Sequence, residues 1–425
     1  MDKVKEFFKH KFFSGSHYII TFLKWVFIAG ITGAICGLVG TAFDISVDKA
    51  TELFAARSWM IFLLLPAGLA IIGLYKLCKV KPHVGTNDII SSIRTSEKVP
   101  ILLVPLVFVG TVLTHLGGGS AGREGAALQI GGGIGQQIGR LLQLDEKDMH
   151  LMTLCGMSGL FAALFGTPLT ATIFAIEVIS IGVVYYSALI PCLSSSLVAF
   201  AVTRFFKVEG VAFKLPGVPE LTAVMCIKTI ALAAICAGIS ILFCAAMHGS
   251  HALFKKFIKN DFVRIALGAV LVIGLTLILP DRRYNGTGMA IIKAAIEEGK
   301  ALPYDFVLKI ILTAITIGTG FRGGEMVPTF FIGATLGCTL GGILGIDPSF
   351  AAALGFIAMF CAVMNCPIAS IILSIEVFGA GGIIFFAIAS AVSYLLSGYY
   401  GLYTSQKIVY SKLKAEFINM DTKPL

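Results

Sequence analysis

The stretch that decides the fold of this 425-residue chain is GGGSAGREGAALQIGGG, residues 117–133, which contains eight glycines. The glycines lead directly into apolar sequence, so this stretch predicts a loop followed by the start of a helix. The first N–H groups of a helix have no partner within the helix, and glycine lets a ligand approach them closely. Together with the positive end of the helix dipole, they form a site for a small anion. The stretch therefore predicts an anion site at a helix N-terminus.

Arg123 and Glu124 lie beside this apolar sequence. An ionised Glu124 competes with an anion for the positive helix end, whereas a protonated Glu124 loses that advantage and can swing away. One side chain would thereby couple a proton to an anion. The alternative is a structural ion pair between Arg123 and Glu124 at a membrane interface.

A second glycine-rich loop, GTGFRGGEMVPTFFIGATLG at residues 318–337, leads into another apolar segment with a proline near its start. Proline is favoured in the first helical turn, so the N–H groups of Met326 and Val327 are the expected anion donors here. Glu325 lies beside them, and a carboxyl group within a membrane is costly unless it is paired or protonated, which makes it a functional hypothesis. The alternative is that Arg322 simply neutralises Glu325.

The chain contains an internal repeat. GTPLTATIFAIEV at 166–178 matches NCPIASIILSIEV at 365–377, and GREGAALQIGG at 122–132 matches GEMVPTFFIGA at 324–334. About 200 residues separate the two copies in both pairs. Duplicated halves with short, interrupted helices that meet at mid-membrane are the architecture of secondary transporters.

The repeat divides the chain into a first half at 17–205 and a second half at 206–400, and a last helix with a cytoplasmic C-terminus is expected at 401–425. Glu177 and Glu376 occupy matching positions in the two halves. This match suggests a shared structural duty, and we favour hydrogen bonding at helix ends or at an interface over proton transfer.

The composition is that of a membrane protein. Hydrophobic residues make up 57% of the chain and charged residues only 13%, against about 25% charged residues in a typical soluble domain. Apolar stretches approach the membrane-spanning length of about 20 residues, for example at 19–43, 59–77, 101–116 and 265–279. The cysteines and histidines show no metal-binding spacing. We therefore expect a multi-pass membrane protein that is not an enzyme and that uses no metal or cofactor.

Lysines cluster in short hydrophilic stretches, and the formal net charge is +9. Basic loops of membrane proteins stay on the cytoplasmic side. Segment 1–16 mixes lysines with phenylalanines and is predicted to be a cytoplasmic amphipathic segment on the inner leaflet. Lys407, Lys412 and Lys414 indicate that the C-terminus lies on the same side. We expect a protein of the inner membrane or plasma membrane with both termini in the cytoplasm.

A third break in the apolar pattern is KPHVGTNDIISSI, residues 81–93. The Thr86 hydroxyl and the Asn87 amide precede a short helix there and are groups that donate to anions. An ordinary turn with a helix N-cap uses the same residue types. This segment alone therefore does not predict an anion site, and its interpretation as one depends on the two glycine-rich loops.

Taken together, these segments resemble the CLC family of chloride channels and antiporters, over nearly the whole chain. In that family the anion path is lined by a GSGIP-like turn, a GREGP segment with the gating glutamate, a GxFxP segment and a tyrosine early in the last helix. These motifs fall here on GTNDI at 85–89, GREGA at 122–126, GEMVP at 324–328 and Tyr403. The resemblance implies an all-α fold of two inverted-topology repeats, with broken, re-entrant helices around a mid-membrane anion site.

With this resemblance, Glu124 and Glu325 are assigned to gating and proton coupling. The anion-binding residues implied are Thr86, Asn87, Gly122, Arg123, Gly125, Met326, Val327 and Tyr403. The resemblance further implies a homodimer in membrane lipid, with one anion pathway in each subunit.

Departures from the family pattern bear on the transported ion. Thr86 replaces the usual serine, the following Gly-Ile-Pro is replaced by Asn-Asp-Ile, and Glu325 replaces an apolar residue. Val178 follows Glu177 where the chloride/proton antiporters carry a second glutamate that receives protons from the cytoplasm. This combination looks like the fluoride/proton antiporter branch, which exports fluoride from bacteria.

The chemistry of fluoride is compatible with these departures. Fluoride holds its water tightly, so a site must replace that shell with strong donors such as the Thr86 hydroxyl, the Asn87 amide and backbone N–H groups. A protonated Glu124 or Glu325 is a further donor, which would couple the two ions. We therefore expect a secondary active transporter that exchanges fluoride for protons. The alternatives are a chloride/proton antiporter and a passive chloride channel of the same fold.

Overall fold

The computed structural model describes residues 2–82, 84–95, 98–414 and 416–422, without the side chains of residues 2–17. The amphipathic interpretation of segment 1–16 therefore lies outside the described side chains. Helices dominate the described chain. In the first half they are α1 (Asp2–Ala56), α2 (Leu64–Leu77), α3 (Thr86–Thr95), α4 (Leu103–Leu116), α5 (Glu124–Leu141), α6 (Glu146–Phe165), α7 (Pro168–Glu177) and α8 (Leu189–Phe205). In the second half they are α9 (Ala223–Phe257), α10 (Asp261–Ile278), α11 (Met289–Glu297), α12 (Asp305–Gly318), α13 (Met326–Leu344), α14 (Pro348–Met364), α15 (Pro367–Phe378) and α16 (Ile383–Leu396).

Seven segments of the described chain are long and apolar enough to cross a membrane. They are Tyr18–Ala56, Ser58–Leu77, Glu146–Phe165, Tyr186–Phe205, Ala223–Phe257, Asp261–Ile278 and Met326–Leu344. Other apolar helices, such as α7 and α15, are shorter. Helices of both lengths are expected where some segments end at mid-membrane beside a polar site.

The stretch at 101–116 is shorter as a helix than its sequence suggested. The Leu103 N–H bonds to Pro100 O in a turn, so α4 begins only at Leu103 and has 14 residues. A helix of that length spans about 21 Å, less than the roughly 30 Å of the hydrocarbon core. The prediction that this stretch has spanning length is wrong.

Glycines let α5 pack on α6, and α13 on α14, with their backbones in contact. A Cβ at Gly131 would lie 2.2 Å from Gly156 O, and a Cβ at Gly333 would lie 2.3 Å from Gly355 O. Small residues at such contacts are typical of membrane helix pairs. The two pairs follow the two matching loops of the repeat, and the duplicated all-α architecture predicted from the sequence is confirmed.

The described residues after Gly401 do not form the last helix that was predicted for 401–425. Strand β2 (Lys407–Tyr410) pairs in parallel with β1 (Ser180–Ile181) and antiparallel with β3 (Phe417–Asp421). Its Ile-Val-Tyr run favours a strand. The pairing partner β1 follows α7 in the first half, so the sequence near 401–425 does not reveal it.

Candidate functional site

The two glycine-rich loops are joined by a pair of backbone hydrogen bonds. Gly122 N–H donates to Gly324 O at 2.6 Å, and Gly324 N–H donates to Gly122 O at 2.7 Å. A Cβ on Gly324 would lie 2.3 Å from Gly125 N, so only glycine allows the loops to come this close. The pairing brings the starts of α5 and α13 together. Because its N–H is engaged, Gly122 packs the loops and is not a free anion donor, which corrects its predicted role.

Glu124 begins α5 and is 2% exposed. Its Oε2 accepts a hydrogen bond from the Arg123 N–H at 3.0 Å. The carboxyl group therefore lies at the positive end of its own helix, which is the arrangement expected of an ionised gating glutamate. Gly125 follows in the first turn, where an N–H group has no acceptor within the helix. An anion that binds to this helix end has to displace the Glu124 carboxyl.

Arg123 is held mainly by helix α1. Its Nη1 lies 2.6 Å from a carboxylate oxygen of Asp44 and 2.7 Å from one of Asp48, whereas its Nε lies 3.8 Å from Glu124. Asp44 is buried and Asp48 is exposed. The Arg123–Glu124 ion pair considered from the sequence is thus the longest of the three contacts. Arg123 ties the start of α5 to α1, and its charge is already shared between carboxylates.

Glu325 is the N-cap residue of α13, and Met326 and Val327 are the first residues of that helix. The N–H groups of a first turn have no acceptor within the helix. The Oε2 of Glu325 is buried and has no hydrogen-bond partner among the described residues. A buried carboxyl oxygen without a partner indicates a place for a proton, a water molecule or a ligand.

Arg322 does not neutralise Glu325 in the described part of the chain. Its guanidinium donates to Val84 O at 3.1 Å and to Pro82 O, and it lies 4.2 Å from the centre of the Tyr75 ring. These contacts tie the second glycine-rich loop to the segment that precedes α3. The alternative in which Arg322 simply pairs with Glu325 is therefore not supported.

Thr86 and Asn87 begin α3 next to the start of α5. The Thr86 hydroxyl donates to Gly125 O at 3.3 Å and accepts from the side-chain amide of Gln129 at 3.1 Å. The Asn87 side-chain oxygen accepts from the Ser405 N–H at 3.1 Å. The Thr86 proton is therefore engaged in joining α3 to α5, while the NH₂ group of Asn87 is the half of that amide able to donate to an anion.

One cavity of about 300 Å³ brings four of the ten predicted site residues together. We call it the Glu325 cavity, and its lining includes Thr86, Asn87, Gln129, Glu325 and Tyr403. Five buried atoms of the lining residues have no hydrogen-bond partner among the described residues, namely Gln129 Oε1, Glu325 Oε2, the Tyr403 hydroxyl and the Nε atoms of Arg264 and Arg322. Unsatisfied polar atoms gathered at one cavity indicate a place for water or a polar ligand.

Gln129 was missed by the sequence reasoning. It lies on α5, is 5% exposed, and donates to Gly125 O at 3.3 Å as well as to Thr86. The signal that was available is a glutamine within residues 125–135 of α5, a segment that otherwise contains only glycine and apolar residues. A polar side chain in such a helix needs a partner or a cavity.

A second cavity, of about 500 Å³, lies beside Arg123 and is lined also by Asp48, Arg282, Arg283 and Asn285. We call it the Arg123 cavity. Helix α10 relates the two cavities, because Arg264 near its start lines the Glu325 cavity and Arg282 follows its end. Its 18 residues span about 27 Å, close to the thickness of a bilayer core. One cavity therefore lies at each end of α10.

Comparisons with known proteins identify the family. Residues 67–398 match the voltage gated chloride channel family. A chloride/fluoride channel protein of Pseudomonas syringae pv. tomato is 34% identical over 396 residues, which cover 92% of this chain and 87% of that protein. The crystal structure of a CLC-type fluoride/proton antiporter is similar with a TM-score of 0.87 and 32% identity, over 90% of this chain and 98% of that one.

A slow cyanobacterial Cl⁻/H⁺ antiporter is similar in fold, with a TM-score of 0.75 and 19% identity over 88% of this chain and 94% of that one. The family match covers most of the chain, including both glycine-rich loops. The long apolar helices, the repeated loops and these matches lead to one conclusion: the chain is a multi-pass membrane protein that belongs to the voltage gated chloride channel (CLC) family.

Proposed function

We propose that the protein is a secondary active transporter that exchanges fluoride for protons and exports fluoride from the cytoplasm. The observation that carries this proposal is Glu325, a carboxyl group at the N-cap of α13 whose buried Oε2 has no partner among the described residues. An ionised carboxyl group there repels an anion, and a protonated one donates a hydrogen bond to it. Proton binding and anion binding therefore favour each other, which couples the two ions.

Fluoride suits this site better than a larger halide. It is a strong hydrogen-bond acceptor that gives up its water only for strong donors. The Asn87 NH₂ group, the first N–H groups of α13 at Met326 and Val327, and a protonated Glu325 are donors of that kind. The relatives described above as a chloride/fluoride channel protein and a fluoride/proton antiporter support the same choice.

The two glutamates have different roles in this proposal. Glu124 lies at the start of α5 next to Arg123, which lines the Arg123 cavity, whereas Glu325 lines the Glu325 cavity. The Gly122–Gly324 hydrogen bonds join the two loops, and Tyr403 lies within electrostatic range of both carboxyl groups. We assign Glu124 to proton exchange with the side of the Arg123 cavity and Glu325 to exchange with the opposite side. The hydrogen bond from the Thr86 hydroxyl to Gly125 O holds α3 against α5.

The orientation follows from the basic loops. Lys255 and Lys256 lie in the last turn of α9 and Lys76 in the last turn of α2, at the end of the molecule where Arg264 lines the Glu325 cavity. Basic residues favour the cytoplasmic side, so the Glu325 cavity opens to the cytoplasm, and both termini lie on that side of an inner or plasma membrane.

We further propose that the protein works as a homodimer in lipid. Helices α8 and α16 leave large apolar side chains uncovered, and Ile190 is 44% and Ile384 51% exposed. A second copy of the chain would cover these faces, as expected of an interface within a membrane.

Purified protein in liposomes tests the function directly. The liposomes are loaded with fluoride or with chloride, and the released anion and the external pH are recorded together, with and without an uncoupler. We expect rapid fluoride release with proton uptake into the liposomes, and little chloride release. Proton-coupled chloride release would instead identify a chloride/proton antiporter, and rapid chloride release without proton movement would identify a passive channel.

A further inference from the structure

The Glu325 carboxyl needs a route for its proton to the cytoplasm, and the usual one is absent. Val178 stands where the chloride/proton antiporters carry a second glutamate. Glu177 directly precedes Val178, and Glu376 is its counterpart in the second half of the repeat. Both carboxyl groups already accept hydrogen bonds from backbone N–H groups at helix starts. If Glu325 exchanges protons as proposed above, another group has to receive them.

Two histidines of α9 line the Glu325 cavity. His248 and His251 are three residues apart, so they lie on the same face of the helix. His251 is exposed and His248 is partly buried, while the Glu325 Oε2 is fully buried. The three groups therefore form a series from solvent to the buried carboxyl along one cavity.

The ring of His248 is oriented by the backbone. Its Nε2 lies 3.0 Å from Gly401 O, and because a carbonyl oxygen only accepts, Nε2 carries the hydrogen. The neutral ring then offers Nδ1 as its proton acceptor. His248 and Glu325 line the same cavity of about 300 Å³, which has room for several water molecules at roughly 30 Å³ each.

The other charged groups that face this cavity are poorer relays. Arg264 is paired with Asp261, and Arg322 donates to two carbonyl groups; neither guanidinium releases a proton in proteins. The Tyr403 hydroxyl is too weak an acid for the task. Asp88 is exposed and accepts from the Gly85 N–H.

Lys412 is a further charged group near this part of α9, while Lys255 and Lys256 are exposed in the last turn of the helix after His251. The Lys412 ammonium donates to Asn365, Tyr394 and Ser397, and it is within electrostatic range of Cys244, one turn before His248. An imidazole ring can accept a proton at one ring nitrogen and release one from the other.

We propose that His248, followed by His251, carries protons between Glu325 and the cytoplasm. In the import direction the Glu325 carboxyl gives its proton through water to Nδ1 of His248, which leaves a carboxylate and an imidazolium. His248 then returns to the neutral form by giving a proton through water to His251 or to the solution. No other bond is made or broken.

The test compares the full-length protein with the double variant His248→Gln/His251→Gln in the fluoride-loaded liposomes. Glutamine keeps an N–H donor for Gly401 O but cannot carry a proton. We expect fluoride release and proton uptake to fall together by about tenfold at about pH 7.5. His150→Gln on α6 is the matched control and should match the unaltered protein.

Fluoride binding, measured by calorimetry on the purified variants, separates a relay from a structural role. Unchanged fluoride affinity with slow turnover, and recovery of turnover in His248→Glu, would support the relay. Equal loss of binding and turnover, or an unchanged rate, would overturn it. If the unaltered protein releases fluoride without moving protons, the proposed function itself fails, which is a different result.

Discussion

Glu177 and Glu376 cap each other's helices. Glu177, the last residue of α7, accepts hydrogen bonds from two backbone N–H groups at the start of α15, at 3.1 and 2.8 Å. Glu376, near the end of α15, accepts from two N–H groups at the start of α7, at 3.0 and 2.7 Å. Each carboxylate thereby satisfies donors that a helix cannot satisfy itself, at the positive end of its dipole. The helix-end role favoured from the sequence repeat is confirmed by these contacts.

The first prediction concerns stability. Glu177→Gln and Glu376→Gln keep the side-chain length but remove the charge that interacts with the helix dipole, so each should lower the unfolding free energy by about 1–2 kcal/mol. Thermal unfolding of the detergent-purified protein measures this. Glu298→Gln is the control, since Glu298 is a surface residue with a 57% exposed side chain. The proton-to-fluoride ratio should not change in either variant, and a changed ratio would revive the proton-transfer alternative.

The sequence alone revealed the parts of the site that follow from local chemistry. Glycines before an apolar run predicted helix starts close to Glu124 and Glu325, and the helices begin at Glu124 and Met326. Tyr403, the tyrosine implied by the family resemblance, is buried and lines the same cavity as Glu325.

Other parts of the site depend on partners that are distant in sequence. The N–H of Gly122 is engaged because Gly324 lies opposite, and the Thr86 hydroxyl is engaged because Gly125 and Gln129 lie beneath it. Both sets of donors looked available from the sequence. A hydrogen-bonding group reveals its type in the sequence, but only tertiary structure shows whether it is already used.

The second prediction concerns Glu325. Glu325→Gln keeps a polar side chain at the N-cap of α13 but cannot exchange a proton, so proton-coupled fluoride release should fall by about tenfold or more. Parallel recordings of fluoride and pH in liposomes measure it. Glu298→Gln serves as the control here too, because its side chain is 57% exposed at the surface. Exchange at the unaltered rate and ratio would remove the basis for Glu325 as a coupling residue.

The third prediction concerns Glu124. Its carboxyl lies at the start of α5 and accepts from the Arg123 N–H at 3.0 Å. Glu124→Ala leaves the helix start open to an anion permanently, so fluoride should pass without proton uptake. This result differs from ordinary inactivation, because fluoride release continues while the external pH stays constant. Proton uptake that persists in proportion to fluoride release would argue that Glu124 does not couple the two ions.

The fourth prediction concerns the two acidic partners of Arg123. Asp44→Asn removes the charge of a buried partner that lies 2.6 Å from Arg123. The Arg123 guanidinium, which is only 12% exposed, then lacks part of its neutralising charge. The unfolding free energy should fall by about 3–5 kcal/mol. Asp48→Asn removes a partner that is 58% exposed, and such pairs contribute at most about 1 kcal/mol. The two variants control for each other in one thermal unfolding series. Equal losses would mean that burial does not decide the strength of these contacts.

The fifth prediction concerns the junction of the two loops. A Cβ at Gly324 would lie 2.3 Å from Gly125 N and 3.0 Å from Gly125 Cα, and both are backbone atoms that cannot turn aside. Gly324→Ala must therefore push the start of α13 away from α5 and weaken the Gly122–Gly324 hydrogen bonds. We expect it to abolish coupled fluoride transport and to lower thermal stability. Gly238→Ala on α9 is the matched control, because a Cβ there meets nothing within 4 Å, and alanine in a helix interior should stabilise the protein by about 0.5–1 kcal/mol. If Gly324→Ala transports as well as Gly238→Ala, the close approach of the two loops is not required for the exchange of the ions.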